Sequence, residues 1–347
     1  MKILITGNMG YIGPRLLEQL RASIPGGELI GIDTGYFAHC LTGAPVFPET
    51  RLDRQYFADL RKLPEGLFDG VDAVVHLAAI SNDPMGDRYK EVTHDINFAA
   101  SLELAKEAKA AGVRRFVFAS SCSVYGFAEG NARSEEAPLN PLTAYAKSKI
   151  GMEEELKKLA GDDFVVTCLR FATACGGSDR LRLDLVLNDF VAGAIASKKI
   201  TVLSDGTPWR PLIHVNDMCL AMDWAIKRDV AQGGVFLALN SGSNSWNYQV
   251  RDLAEAVAGI IPGVSVSINK DAQPDKRSYQ VDFGLYEKLA PDHQPKMTLQ
   301  TAIEDLATRL ENMKFTDGDF RNSQLIRLKV LAQHCEQGRL NSNLEWQ

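Results

Sequence analysis

The stretch ILITGNMGYIG, residues 3–13, couples a short β-branched run to three glycines spaced GxxGxxG. Ile3-Leu4-Ile5 reads as a strand buried on both faces, and Arg15 to Arg21 carries the periodicity of an amphipathic helix. Between them, Gly7, Gly10 and Gly13 permit a tight turn and let backbone N–H groups approach a pyrophosphate at a helix N-terminus. Met9, Tyr11 and Ile12 complete this candidate cofactor loop. Asp33 follows the next apolar run, Leu29-Ile30-Gly31-Ile32, about twenty residues on, where an acid would bind ribose hydroxyls. A carboxylate there repels a 2′-phosphate and no arginine directly follows it, so NAD is expected rather than NADP.

Working outward, Ala73–Leu77, Phe116–Phe118 and Val165–Leu169 repeat the short, non-alternating apolar pattern, while Ile96–Ala111 and Ala144–Ala160 are helix-like. The alternation predicts an α/β fold, a doubly wound parallel sheet of Rossmann type, with a smaller C-terminal substrate-binding domain. The expected dinucleotide domain spans residues 1–175, with 209–242 returning to it. Residues 176–208 and 243–315 form the expected second domain, and 316–347 a helical tail read as a packing or oligomer element. Within the second half, Leu185–Ala196, Asn216–Lys227 and Tyr248–Ile260 read as helices, Ile200–Pro211 as a hairpin and Val235–Leu239 as a strand. Asp59 and Leu60, with Leu77, Ala78 and Ala79 at the end of the next unit, are candidate neighbours of the adenine and ribose.

The 347 residues carry a net charge of −6 and 45% hydrophobic content, which argues against a basic nucleic-acid face and for a small-molecule partner. No stretch approaches 18 apolar residues, so no membrane span is expected, and the N-terminus lacks the pattern of a secretory signal. The six cysteines include no CxxC, so they read as reduced cytoplasmic thiols, with no metal site expected.

Residues 145–149 are Tyr-Ala-Lys-Ser-Lys, which places Tyr145 and Lys149 on one helical face. An ammonium beside a phenol, like a cationic nicotinamide, favours the phenolate. Ser121 stands after the fourth apolar run, in SSCSVYG (120–126). Together with TGNMGYIG, Asp33, HLAA (76–79), Asn97, Leu169-Arg170, WRPLIHVND (209–217) and DKRSYQVDF (275–283), these motifs resemble the extended short-chain dehydrogenase/reductase family, in its nucleotide-sugar epimerase/dehydratase branch. The resemblance implies Ser121, Tyr145 and Lys149 as the catalytic triad, with Tyr145 and Lys149 also touching the cofactor. It implies Asn188, Arg210 and Arg277 as holders of a nucleotide diphosphate, and bidentate guanidinium groups suit that task. Ser81, Ser121, Cys122, Ser123 and Thr173 are the other candidate substrate contacts. His214 reads as a packed structural histidine.

Two departures narrow the reaction. Dehydratases of the family carry an Asp-Glu pair directly after the catalytic Thr/Ser, where this chain has Cys122 and Ser123. Thr173-Ala174-Cys175-Gly176 replaces the common Asn-Val-Tyr-Gly. The resemblance then implies a 4-epimerase that oxidises a sugar C4 transiently, in a homodimer. A 4-ketoreductase or uronate decarboxylase is the alternative, with dehydration and a non-catalytic NAD-binding regulator ranked below. Cys122 reads either as a participant in this chemistry or as a small apolar residue packed beneath the site.

Overall fold

The structure is a computed structural model that describes residues 1–128, 130–272 and 278–347. Twelve strands are described: β1 (Lys2–Thr6), β2 (Glu28–Asp33), β3 (Arg54–Phe57), β4 (Ala73–His76), β5 (Arg115–Ser121), β6 (Val165–Phe171), β7 (Thr173–Cys175), β8 (Lys199–Val202), β9 (Trp209–His214), β10 (Phe236–Ser241), β11 (Asn247–Gln249) and β12 (Ser265–Ile268). Seven of them form one parallel sheet in the order β3-β2-β1-β4-β5-β6-β10. Strand order reverses between β1 and β4, the switch point where such sheets bind ligands beyond their carboxyl ends. β1, β4 and β6 are almost wholly buried, which explains their unbroken apolar runs.

Helices cover both faces. On one, Gly13–Ser23 starts with Pro14 in its first turn and turns Leu16, Leu17 and Leu20 inward beside Val215–Lys227. On the other, Ser101–Ala110 and Ala144–Leu159 bury Leu104, Ala108, Met152 and Leu156. The helix Ala144–Leu159 is capped by Thr143, whose hydroxyl accepts from the Ala146 N–H at 3.1 Å. A π-helical turn, Asp95–Ala100, precedes Ser101–Ala110, so the expected single helix is in two parts.

A second core gathers Val186–Ser197, Val250–Ile260 and Leu299–Asn312 beside the small parallel pair β8 and β12. The expected hairpin does not form. β8 pairs with β12, and β9 pairs with β7 and β11, so the polar residues between β8 and β9 separate two sheets instead of turning one ribbon. His214 is fully buried; its Nδ1 accepts from the Asn216 N–H and caps the helix Val215–Lys227.

The helical tail begins later than expected, at Arg327–Glu336, and packs within the chain. Leu331, Leu340 and Leu344 bury against Tyr36, Ile80, Met85, Val92 and Ile96. The Trp346 indole N–H donates to the Thr34 carbonyl at 2.7 Å, and the Tyr36 hydroxyl donates to the Leu344 carbonyl. The tail is thus bound to the segment that follows β2. Among the described residues, no helix is long and apolar enough to cross a membrane.

Candidate active site

At the carboxyl ends of the central strands lies a cavity of about 850 Å³. Gly7, Gly10, Tyr11 and Ile12 line it from the loop after β1, and Asp33 from the end of β2. Asp59, Leu60, Leu77, Ala78, Ala79 and Ser81 line it from the segments after β3 and β4. Ser121, Ser123, Tyr145, Lys149, Thr173 and Arg210 complete the expected residues on its wall.

The glycine loop passes the start of the segment after β4 very closely. Gly7 has φ +73°, and a Cβ on it would stand 2.6 Å from the Ala78 nitrogen. A Cβ on Gly13 would stand 1.8 Å from the Asn8 carbonyl oxygen. Both positions therefore demand glycine. A directed chain of hydrogen bonds fixes the neighbouring segment. The Ala78 N–H bonds the Thr6 hydroxyl (3.2 Å), Thr6 bonds His76 Nδ1 (2.7 Å), His76 Nε2 bonds the Ser101 hydroxyl (2.8 Å), and Ser101 donates to the Ile96 carbonyl (2.8 Å). Burial, with Lys149 adding to it, depresses the His76 pKa to about 3, so the ring is neutral and keeps one tautomer.

Asp33 accepts from the Met9 N–H at 3.0 Å and from the Gly35 N–H at 2.7 Å, yet still lines the cavity. Burial pushes its carboxyl above the usual range, opposed by those N–H bonds and by the charge of Arg180. Arg180 is distant in sequence and is paired with Glu49 at 2.6 Å, and the Glu49 charge acts on Asp33 in the opposite sense. An accessible carboxylate, a close-approach glycine loop and an apolar slot at Leu60 and Leu77 fit a dinucleotide with unmodified adenosine ribose.

At the other end, Ser121 and Tyr145 share the wall, with Ser121 near enough to favour the tyrosinate, and the Ser121 hydroxyl accepts from the Ser123 N–H at 3.1 Å. Lys149 Nζ lies 5.4 Å from the Tyr145 ring centroid and 4.6 Å from that of Phe118. Below it, Glu153 pairs with Arg170 at 2.6 Å in a fully enclosed ion pair that locks the helix onto β6. Burial and then Asp83 raise the Tyr145 pKa to about 12, while Arg182 and Ser121 pull it down. Burial lowers that of Lys149 to about 7, partly opposed by Glu153. In the chain alone burial dominates both groups, and the expected tyrosinate calls on the cationic nicotinamide as well as on Lys149.

Several expected residues lie elsewhere. Met9 and Gly13 are buried behind the loop and shape it from within. Cys122 does not reach the cavity: the end of β5 turns its thiol inward to the Arg170 carbonyl at 3.1 Å, and burial drives its pKa well up. Asn188 is fully buried and does not line the wall. Its Oδ1 accepts from the Gly176 N–H at 2.9 Å and its Nδ2 donates to the Arg182 carbonyl at 2.8 Å, so it braces the loop after β7. Arg277 lies outside the described residues.

The sequence reading missed Asp83, Arg182, Asp184 and the tail residues Arg321 and Arg327, all on the wall. Arg182 and Asp184 form a forked ion pair, Nε–Oδ1 2.9 Å and Nη2–Oδ2 3.1 Å, and Arg182 also bonds Ser81. A usable signal was present: two opposite charges two residues apart inside the apolar run 181–187 must be buried as a pair. Ser123 lines the wall, and its hydroxyl is buried without a hydrogen-bond partner.

A sequence profile described as "NAD dependent epimerase/dehydratase family" matches residues 3–238. The chain belongs to that family. Its members are NAD-dependent, which agrees with the dinucleotide shape of the cavity. The UDP-glucose 4-epimerase of Lactobacillus helveticus is 26% identical over 293 residues, covering 79% of this chain and 87% of the relative. An uncharacterized UDP-glucose epimerase of Bacillus subtilis is 31% identical over 231 residues, 62% of this chain and 70% of that protein. The solved structure of MoeE5 in complex with UDP-glucuronic acid and NAD superposes with a TM-score of 0.73 at 26% identity, covering 90% of this chain and 99% of the other. The doubly wound parallel sheet and the family assignment thus agree with the expectation from sequence.

Proposed function

We propose that the protein is an NAD-dependent nucleotide-sugar 4-epimerase. The observation that carries this reading is the gathering of Ser121, Tyr145 and Lys149, the last with its Nζ 5.4 Å from the Tyr145 ring centroid, on a wall shared with a dinucleotide cradle and with Arg210. The names of the relatives support a UDP-hexose as the first substrate class to examine. When bound, the oxidised nicotinamide supplies a hydride acceptor and a positive charge that favours tyrosinate.

The chain's own residues do the rest. Tyr145 takes the proton of a sugar hydroxyl and later returns it; Ser121 orients both oxygens through its hydroxyl. Lys149 offsets negative charge on the tyrosine and holds a ribose hydroxyl. Thr173 and Ser123 face the sugar, and Arg210 holds the nucleotide diphosphate, with Arg277 assigned the same task from sequence. Cys122 and Ser123 leave no carboxylate pair directly after Ser121, which favours epimerisation over water loss.

Mass spectrometry of ligands released from the purified protein, followed by incubation with UDP-glucose, UDP-galactose and UDP-glucuronic acid, tests the reading. Retained NAD with interconversion of C4 epimers supports it. Stoichiometric consumption of NADH would indicate a ketoreductase, and carbon dioxide release a decarboxylase. A cytoplasmic homodimer belongs to the same proposal, with sedimentation velocity as the check on its stoichiometry.

A further inference from the structure

Three buried arginines, Arg180, Arg182 and Arg327, come together near the middle of the cavity. Two have carboxylate partners: Glu49 binds Arg180 and Asp184 binds Arg182. Arg327 is 1% exposed and lines the cavity, but no carboxylate among the described residues lies within ion-pair distance of it. Its guanidinium donates only to carbonyl groups, those of Gln324 (3.3 Å), Arg180 (2.8 Å) and Leu181 (3.2 Å), and stands 5.0 Å from the Phe37 ring centroid. Those contacts fix its plane and leave it without an ion-pair partner, Asp184 favouring its charge only from beyond ion-pair distance. Burial, aided by Arg182 and Arg180, lowers its pKa to about 10, so it remains cationic at neutral pH.

A buried cation at a cavity wall is costly unless an anion arrives. Its neighbours tell which one. Phe37 closely follows Asp33 and thus adjoins the adenosine end of the cradle, whereas Arg182 bonds Ser81 and acts electrostatically on both Tyr11 of the glycine loop and Tyr145. Arg327 thus neighbours Phe37 on the adenosine side and Arg182, which reaches towards Tyr145, on the other, and a dinucleotide carries its diphosphate between its two ends. We propose that Arg327 is a ligand of the dinucleotide diphosphate, and that the C-terminal segment bearing it is a strap that retains the cofactor.

This inference rests on the dinucleotide reading of the cavity but not on the sugar or the reaction. The segment is suited to the task, because Trp346, Tyr36 and Leu344 bind it to the backbone just after β2. Both Nη2 hydrogens go to the Arg180 and Leu181 carbonyls and one Nη1 hydrogen to Gln324, which leaves Nε–H and the second Nη1–H to give a phosphate a charge-assisted bond.

The test compares Arg327→Gln with the unaltered chain, both stripped of bound nucleotide, by titration calorimetry with NAD⁺ and with adenosine. A loss of NAD⁺ affinity of about tenfold or more, with adenosine binding unchanged, supports the proposal. NAD⁺ affinity within twofold overturns it, including the case where only the KM for a nucleotide sugar rises. Equal losses for both ligands also overturn it, by assigning Arg327 to packing on Phe37. If Arg327→Gln does not fold, Arg327→Lys keeps the charge but loses the fixed guanidinium plane; a severalfold loss confined to NAD⁺ supports the proposal, and unchanged affinity overturns it. Failure of the unaltered chain to bind NAD⁺ would instead strike the dinucleotide reading itself.

Discussion

The two ends of the cavity are built by different means. The dinucleotide end is made from residues at the carboxyl ends of adjacent parallel strands, so the sheet register places Gly7, Asp33, Ala78 and Ser121 without help from distant loops. The sugar end is made from the loop after β7 and the start of β9, whose positions depend on cross-chain bonds such as Tyr11 to the Gly176 carbonyl and Asn188 to the Arg182 carbonyl. The first end is set by local backbone geometry, the second by long-range side-chain contacts. A motif can therefore specify the first, whereas the second needs the assembled fold.

This contrast can be broken or sharpened by substitution. The largest expected effect is at the sheet-built end: Tyr145→Phe lowers turnover about 10³-fold while NAD⁺ affinity, read by calorimetry, stays within a factor of about three. Wild-type-like turnover would remove Tyr145 from the mechanism. At the loop-built end, Asn188→Ala lowers unfolding stability by about 1–3 kcal/mol in urea titration, because it leaves buried loop groups unpaired. A raised KM with unchanged stability would return Asn188 to direct substrate contact.

Arg210→Gln is expected to raise the KM for the nucleotide sugar about tenfold and change kcat less, which separates binding of a diphosphate from chemistry. A fourth outcome concerns pH. The folded value of Lys149, about 7, lies below its ordinary 10.5, so between those values the unfolded chain binds more protons and stability gains with rising pH. In the cofactor-free protein, Lys149→Met should remove that gain, seen as a smaller rise in urea midpoint from pH 7 to pH 9 than in the unaltered chain. The smallest effect belongs to Cys122→Ser: turnover within twofold and stability within about 1 kcal/mol, since a hydroxyl can still donate to the Arg170 carbonyl.

Much of the first end was legible in sequence because each glycine, acid and helix signal acts within a few residues of its neighbours. Cys122 shows the limit. The sequence left it either as a participant or as a packing residue, and only the turn after β5, which sends its thiol to the Arg170 carbonyl, tells which. Asn188 was expected at the sugar end by resemblance, and it serves as a brace because Gly176 and Arg182 lie within its reach in the fold. Arg327 carried no local signal. Its partners, Arg180, Leu181 and Phe37, are remote in sequence.

The tail packed across the segment after β2 also bears on the order of events during synthesis. β1, β2 and β4 leave the ribosome long before Arg327, Leu331 and Trp346, so a nascent chain can assemble the glycine loop and Asp33 while the mouth above them is open. Loading of a dinucleotide is sterically easiest in that interval. Docking of the late segment then converts an open cleft into a closed one, and a stalled or clipped chain would be a leaky holder of its ligand.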